Sequence, residues 1–314
     1  MTNVYKINLF NYDMSDVDKN ENHDKEHYKN YCIKEKKLGW GWTRKNPKPV
    51  FTLDDYHKDY GSSRSLSVAC NQIKDMKEND YCWTYVDGTW YLGKVKGDFH
   101  FGIPDELHPA FGMYRDCEWK PISDKDTVPG SISTYSRKDA TVRYISNDSS
   151  FIKYCEYLYG GQEKPFGLNF LNLVHYDDLE DLVGLYLQKH GYYIFPSTNK
   201  QGTKDYEFKL IRTDGKKEAI IQCKSNEDIP WESLGGYTKE DIYVLSVKET
   251  KNAGNSRTML SKEKCSENWD MGWKSKDERI KMFDALKLEE WARNNQTILP
   301  KRIQNFLKLS EKNK

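Results

Sequence analysis

Residues 204–224 read Lys204-Asp205-Tyr206-Glu207-Phe208-Lys209-Leu210-Ile211-Arg212, then Thr213-Asp214-Gly215-Lys216, then Lys217-Glu218-Ala219-Ile220-Ile221-Gln222-Cys223-Lys224. An Asp-Gly dipeptide between two alternating runs predicts a β-hairpin. A two-residue turn at Asp214-Gly215 pairs Glu207 with Gln222 and Asp205 with Lys224. Side chains alternate faces along a strand, so these four would point the same way. A four-residue loop keeps that parity; a three-residue loop breaks it. The opposite face, with Tyr206, Phe208 and Leu210 against Ala219, Ile221 and Cys223, reads as core. Two carboxylates, an amide oxygen and an ammonium on one patch can hold a divalent metal ion and activate water. The competing explanation is an exposed sheet face whose charges merely alternate.

Composition sets the frame around this hairpin. The chain has 314 residues, enough for two domains that each bury a core. Its formal charge is +1, from Lys+Arg 49 against Asp+Glu 48, so no global basic bias announces nucleic acid. The charged fraction of 31% and a mean hydropathy of −0.90 describe a very polar chain. No apolar run approaches the roughly 20 residues that cross a bilayer, and no signal peptide is expected at the N-terminus. The cysteines, Cys32, Cys70, Cys82, Cys117, Cys155, Cys223 and Cys265, lie scattered without a C-x-x-C pair. That usage fits reduced, buried thiols and a cytoplasmic protein without membrane association.

Two domains are expected, at residues 1–160 and 168–314. The first is β-rich and aromatic, with short strands between Ser65 and Ile145 that fit a small β-barrel. Tyr81–Val86 and Thr89–Val95 flank an Asp87-Gly88 turn. Phe151–Gly161 reads as a helix. The second domain opens with a helix over Asp177–His190, acidic at its start and closed by Gly191. Leu179, Leu182, Val183, Tyr186 and Leu187 form its apolar stripe, with Glu180 at the edge. A strand over Tyr192–Phe195, the hairpin and a strand over Asp241–Val247 follow, then helices at Asp277–Asn295 and after Pro300. The fold class is α/β (α+β overall). His23 and His27 stand four apart without a third ligand nearby, and fit a solvated helix face. His175 and His190 flank the second-domain helix and read as helix-end residues.

Helix, strand, hairpin and further strand, with Glu180 on the helix and D-x-E…Q-x-K on the hairpin, resemble the PD-(D/E)xK nuclease superfamily. Mrr-type restriction endonucleases, in which Gln stands before x-Lys, are the nearest likeness, over roughly residues 170–250. The resemblance implies a restriction-endonuclease-like αβββαβ core and a Mg²⁺- or Mn²⁺-dependent endonuclease acting on DNA in anti-phage defence, commonly as a homodimer. It implies catalytic roles for Glu180, Asp205, Glu207, Gln222 and Lys224, with all but Lys224 as metal ligands. Asp205 and Glu207 compete for one role. The Tyr206-Glu207 pair resembles a subgroup in which the Tyr-Glu acid leads, which favours Glu207.

Aromatic residues, Trp 9, Tyr 22 and Phe 12, lie largely before residue 160. Large aromatics usually fill cores, but they also line pockets that sandwich a flipped base. The run from Met76 through the hairpin to Gly93-Lys94-Val95-Lys96-Gly97 looks like the PUA/EVE-like small barrels that read modified bases. On that likeness Trp40, Trp42, Trp83, Trp90, Tyr91 and Trp119 are candidate base-recognition residues. Lys94, Lys96, Arg115 and Arg137 are candidate phosphate contacts. Rival expectations are a catalytically inactive nucleic-acid-binding protein, an RNA-directed PUA-like protein, and a nucleotide sensor.

Overall fold

The structure, a computed structural model, describes residues 2–9, 25–40, 52, 54–55, 58, 64–101, 112–133, 142–161, 164–165, 167–168, 170–195, 206–215, 217–224, 234, 236–237, 239–246, 272–274, 280–283 and 285–310. The chain forms two compact units, each mixing helices with one mixed sheet. The first comprises Met1–Val128, Ile132–Leu168 and Lys312–Lys314; the second comprises Pro129–Ser131 and Asn169–Glu311. Among the described residues no helix is long and apolar enough to cross a membrane.

The first unit holds β1 (Val4–Ile7), α1 (Lys25–Lys34), β2 (Lys37–Trp40), α2 (Arg64–Asp75), β3 (Tyr81–Val86), β4 (Thr89–Phe101), β5 (Met113–Ile122), β6 (Val142–Ser146) and α3 (Ser149–Gly160). Its sheet runs β2-β5-β4-β3-β1-β6. Only β1 and β3 pair in parallel. Over the described residues this order is open, with β2 and β6 at its ends, where the sequence suggested a small barrel. The β3–β4 hairpin closes through Asp87 and Gly88, whose φ angles of 47° and 83° suit the right-handed strand twist.

Period-two alternation divides the sheet's residues between two layers. Cys82, Val86, Val95 and Cys117 pack with Cys32 of α1 and Ala69, Cys70 and Ile73 of α2. On α3, Phe151, Tyr154 and Cys155 are buried, and Asp148 caps the helix by accepting from the N–H groups of Ser150 and Phe151.

Helix α2 replaces the β structure expected from Ser65 onward. Its C-terminal end is held from the sheet. Arg115 on β5 is 7% exposed and donates to the carbonyls of Ile73, Lys74 and Gly97. A cation there completes orphan carbonyls of the last turn and opposes the negative end of the helix dipole. Arg115 is therefore occupied inside the unit, a correction to its candidate role on phosphate. Replacing it with Met should leave those carbonyls buried and unpaired. A loss of about 2–4 kcal/mol in denaturant unfolding is expected; a change below about 0.5 kcal/mol would show that the guanidinium does not hold α2.

The second unit holds α4 (Tyr176–Lys189), β7 (Tyr192–Ile194), β8 (Phe208–Arg212), β9 (Glu218–Lys224), β10 (Asp241–Ser246), β11 (Gly272–Lys274), β12 (Ile280–Phe283), α5 (Ala285–Asn294) and α6 (Lys301–Ser310). The sheet runs β11-β12-β10-β9-β8-β7, with β9, β10 and β12 mutually parallel and the other pairs antiparallel. The helix expected over Asp277–Asn295 is in fact strand β12 followed by α5. Ile280 pairs with Ile242 of β10, a partner far away in sequence.

Helix α4 lies close against one sheet face. A Cβ on Gly184 would stand 3.0 Å from Ile194 and 3.3 Å from Phe208. Trp291 of α5 meets Tyr186 edge-on, and Arg302 of α6 pairs with Asp178 at 3.1 Å. Burial raises the Asp178 carboxyl above its usual range, while Arg302 pulls it down. The other face is covered where the parallel crossover from β9 to β10 passes. There Leu234 and Tyr237 pack with Ile220, Ile242 and Val244.

Candidate metal-binding site on the β8–β9 hairpin

The β8–β9 register settles which hairpin residues meet. Phe208 pairs with Ile221, Lys209 with Ile220 and Leu210 with Ala219. The ladder continues outward, where the Glu207 N–H donates to the Ile221 carbonyl at 2.7 Å. At the turn, the Gly215 N–H donates to the Arg212 carbonyl, and Gly215 has φ 68°. This register sets Glu207 opposite Gln222. The Gln222 amide donates from Nε2 to Glu207 Oε1 at 2.9 Å.

An ionised carboxylate only accepts hydrogen bonds, so the amide must offer it the NH₂ group and turn its carbonyl oxygen elsewhere. Gln222 is 1% exposed, and its Oε1 has no hydrogen-bond partner among the described residues. A buried, unpaired amide oxygen costs about 1–3 kcal/mol, so it calls for a reason. A hard cation is one: carboxylate and amide carbonyl oxygens suit Mg²⁺ or Mn²⁺. Among the described residues no group of three or more His, Cys, Asp or Glu side chains is arranged to hold a metal. The described donors thus amount to two oxygens, one of them from a glutamine.

The other expected ligands fall as follows. Asp205 lies outside the described residues. Lys224 ends β9 and pairs with Ser246 of β10; its side chain lies outside the described residues. Glu180 is on α4, on the Phe208 side of the sheet, whereas Glu207 and Gln222 belong to the opposite alternation. The chain reverses at Gly191 (φ 84°), so the N-terminal end of α4 comes back over the end of the sheet where β8 begins. Glu180 lines a cleft of about 530 Å³ there, with Asp181, Gly184, Ile194 and Phe208. Burial raises the neighbouring Asp181 carboxyl, with Asp178 and Asp177 adding to the effect. Glu180 and the hairpin pair therefore share an end of the sheet but come from different layers.

Tyr206 departs from the expected core face. Strand β8 begins only at Phe208, so alternation does not bind Tyr206; its ring meets Tyr237 edge-on at 5.9 Å beside Ile220. Phe208, Leu210, Ala219, Ile221 and Cys223 are buried as the pattern predicts. His175 caps α4, with Nδ1 accepting from the Asp177 N–H. His190 ends the helix, stacked on Tyr186 and bonded to its carbonyl.

In the first unit the candidate base-recognition aromatics are mostly structural. Trp83 is fully buried, so no base can stack on it without opening the core. Trp90 is 8% exposed, tilted against Tyr85 with Lys6 above its ring. Trp119 donates its indole N–H to the Lys37 carbonyl and lies so close to Gly93 that an added Cβ would sit 2.5 Å from the ring. Tyr91 is half-buried against the core shared with α1 and α2. Trp42 and the side chain of Trp40 lie outside the described residues.

Sequence reading missed Tyr193 on edge strand β7 and Phe195 just past its end, exposed at 64% and 37%. The alternation Tyr192 in, Tyr193 out, Ile194 in, Phe195 out was the available signal. Comparison with known proteins gives no match to a family model, a curated protein or a solved structure.

If the Gln222 oxygen is held in reserve for a ligand, removing the amide should not harm the apo fold. Gln222→Met should change stability in metal-free buffer by no more than about 2 kcal/mol, because relief of the unpaired oxygen offsets the lost bond from Nε2 to Glu207. A loss beyond about 2 kcal/mol in metal-free buffer would mean that the oxygen is satisfied within the protein.

Proposed function

We propose that the chain is a Mg²⁺- or Mn²⁺-dependent DNA endonuclease of the restriction type, with the second unit as its nuclease domain. The observation that carries this reading is the buried Gln222 amide, anchored to Glu207 while its oxygen has no hydrogen-bond partner among the described residues. The element order supports it. Helix α4, the antiparallel strands β7, β8 and β9, and β10 parallel to β9 follow the order expected of such a core, while the helix expected between β9 and β10 is not among the described elements.

On this reading Glu207 and Gln222 hold the cation, with Asp205 and Glu180 as further oxygen donors. When bound, the cation supplies charge to a phosphoryl oxygen and acidifies an attacking water. The Gln222 NH₂ group holds the Glu207 carboxylate in place. Lys224, at the last position of β9, is assigned to neutralise charge that develops on the phosphate. Burial of Gln222 strengthens its bond to the half-buried Glu207 carboxylate. The first unit is assigned to DNA recognition, including modified bases, through surfaces other than Trp83. Two copies would cut two strands.

Incubating modified and unmodified phage DNA with the protein tests this directly. Fragments are expected only with Mg²⁺ or Mn²⁺. Glu207→Ala should abolish them, and Lys224→Ala should slow cutting about 10²–10³-fold. Unimpaired cutting by both variants would overturn the assignment, as would failure of the wild type to cut any DNA with either metal.

A further inference from the structure

Among the described residues, the sheet face that carries Glu207 and Gln222 is packed over Ile220, Ile242 and Val244, whereas Tyr193 on β7 stands exposed. Ile194 and Phe208 touch α4, so Tyr193, Phe195, Lys209 and Ile211 belong to the other face. The register continues past Ile194, with the Phe195 N–H donating to the Lys209 carbonyl at 2.9 Å. Phe195 is thus across from Lys209, and Glu207 is two residues from Lys209 on the same side. Tyr193 is 64% exposed and Phe195 37%. Two residues of strand rise set them roughly 7 Å apart.

We infer that the outer face of β7–β8 is a platform for a single nucleic-acid strand, with Tyr193 and Phe195 stacking on unpaired bases and Lys209 contacting the backbone phosphate. The chemistry matches that of single-strand binders, in which exposed aromatic rings in series take base faces and neighbouring cations take phosphates. Lys209 Nζ already stands 5.6 Å from the Tyr206 ring, which holds the cation on this side of the sheet. Pairing of β7 with a second copy is disfavoured by the edge itself. It is three residues long and is followed by Pro196, which has no N–H to donate. A strand on this platform runs toward Glu207. The inference deepens the nuclease reading and rests on it for its purpose: the substrate strand arrives with its bases unstacked.

Fluorescence anisotropy with a labelled thymidine 20-mer and its duplex, in EDTA, tests the platform apart from cutting. The full-length wild type should bind the single strand more tightly than the duplex. The Tyr193→Ala/Phe195→Ala double variant should bind it at least tenfold more weakly, while its melting temperature holds because both rings are exposed. Tyr193→Phe should retain affinity. Absence of wild-type single-strand binding, or equal affinity of the double variant, overturns the inference. A double variant that changes from dimer to monomer with unaltered affinity also overturns it and assigns the face to a second copy. Strand binding without metal-dependent cutting keeps the platform and removes the nuclease reading; cutting with unaltered binding does the reverse.

Discussion

The antiparallel register of β8 and β9 is the constraint on which the second unit depends. Asp214 and Gly215 turn the chain, and ladder bonds then fix every opposite pair back to Glu207 and Gln222. A slip of β8 by one residue would turn its side chains over, exposing Phe208 and Leu210 and burying Lys209. Hydrophobic burial therefore enforces the register at one end of the hairpin. The polar pair at the other end is brought together as a consequence. The site's geometry is inherited from the core.

That inheritance explains how an amide can stand in so dry a place. The parallel crossover lays Leu234 and Tyr237 against Ile220, Ile242 and Val244, and Gln222, which pairs with Val244, is 1% exposed. The carboxylate of Glu207 takes the amide N–H, so one half of the side chain is satisfied and the other is not. Protein interiors rarely leave such a group unpaired, and a bound ion or water is a usual partner. On the opposite layer, α4 closes the Phe208 face and brings its acidic N-terminal end over the same end of the sheet.

Local signals were readable in the sequence; long-range ones were not. Both hairpins and α4 follow from turn chemistry, alternation and capping residues within a short window. The strand Ile280–Phe283 escaped because its partner, β10, lies far back in the chain. Helix α2 escaped because its stripe, Ala69, Cys70 and Ile73, is short and its end is completed by Arg115 from a distant strand. The pairing of Glu207 with Gln222 was legible; the burial of Gln222 was not, since it depends on what the crossover covers. Trp83 was misread for a similar reason. Composition cannot tell a stacking indole from a core one.

Manganese binding, followed by the loss of the free-ion electron paramagnetic resonance signal, tests the central claim without requiring a substrate. The account predicts a saturable site that Mg²⁺ competes for and that Glu207→Ala and Gln222→Met each weaken at least tenfold. Wild-type protein that leaves the free-ion signal unchanged, or binding that survives both substitutions, would contradict it.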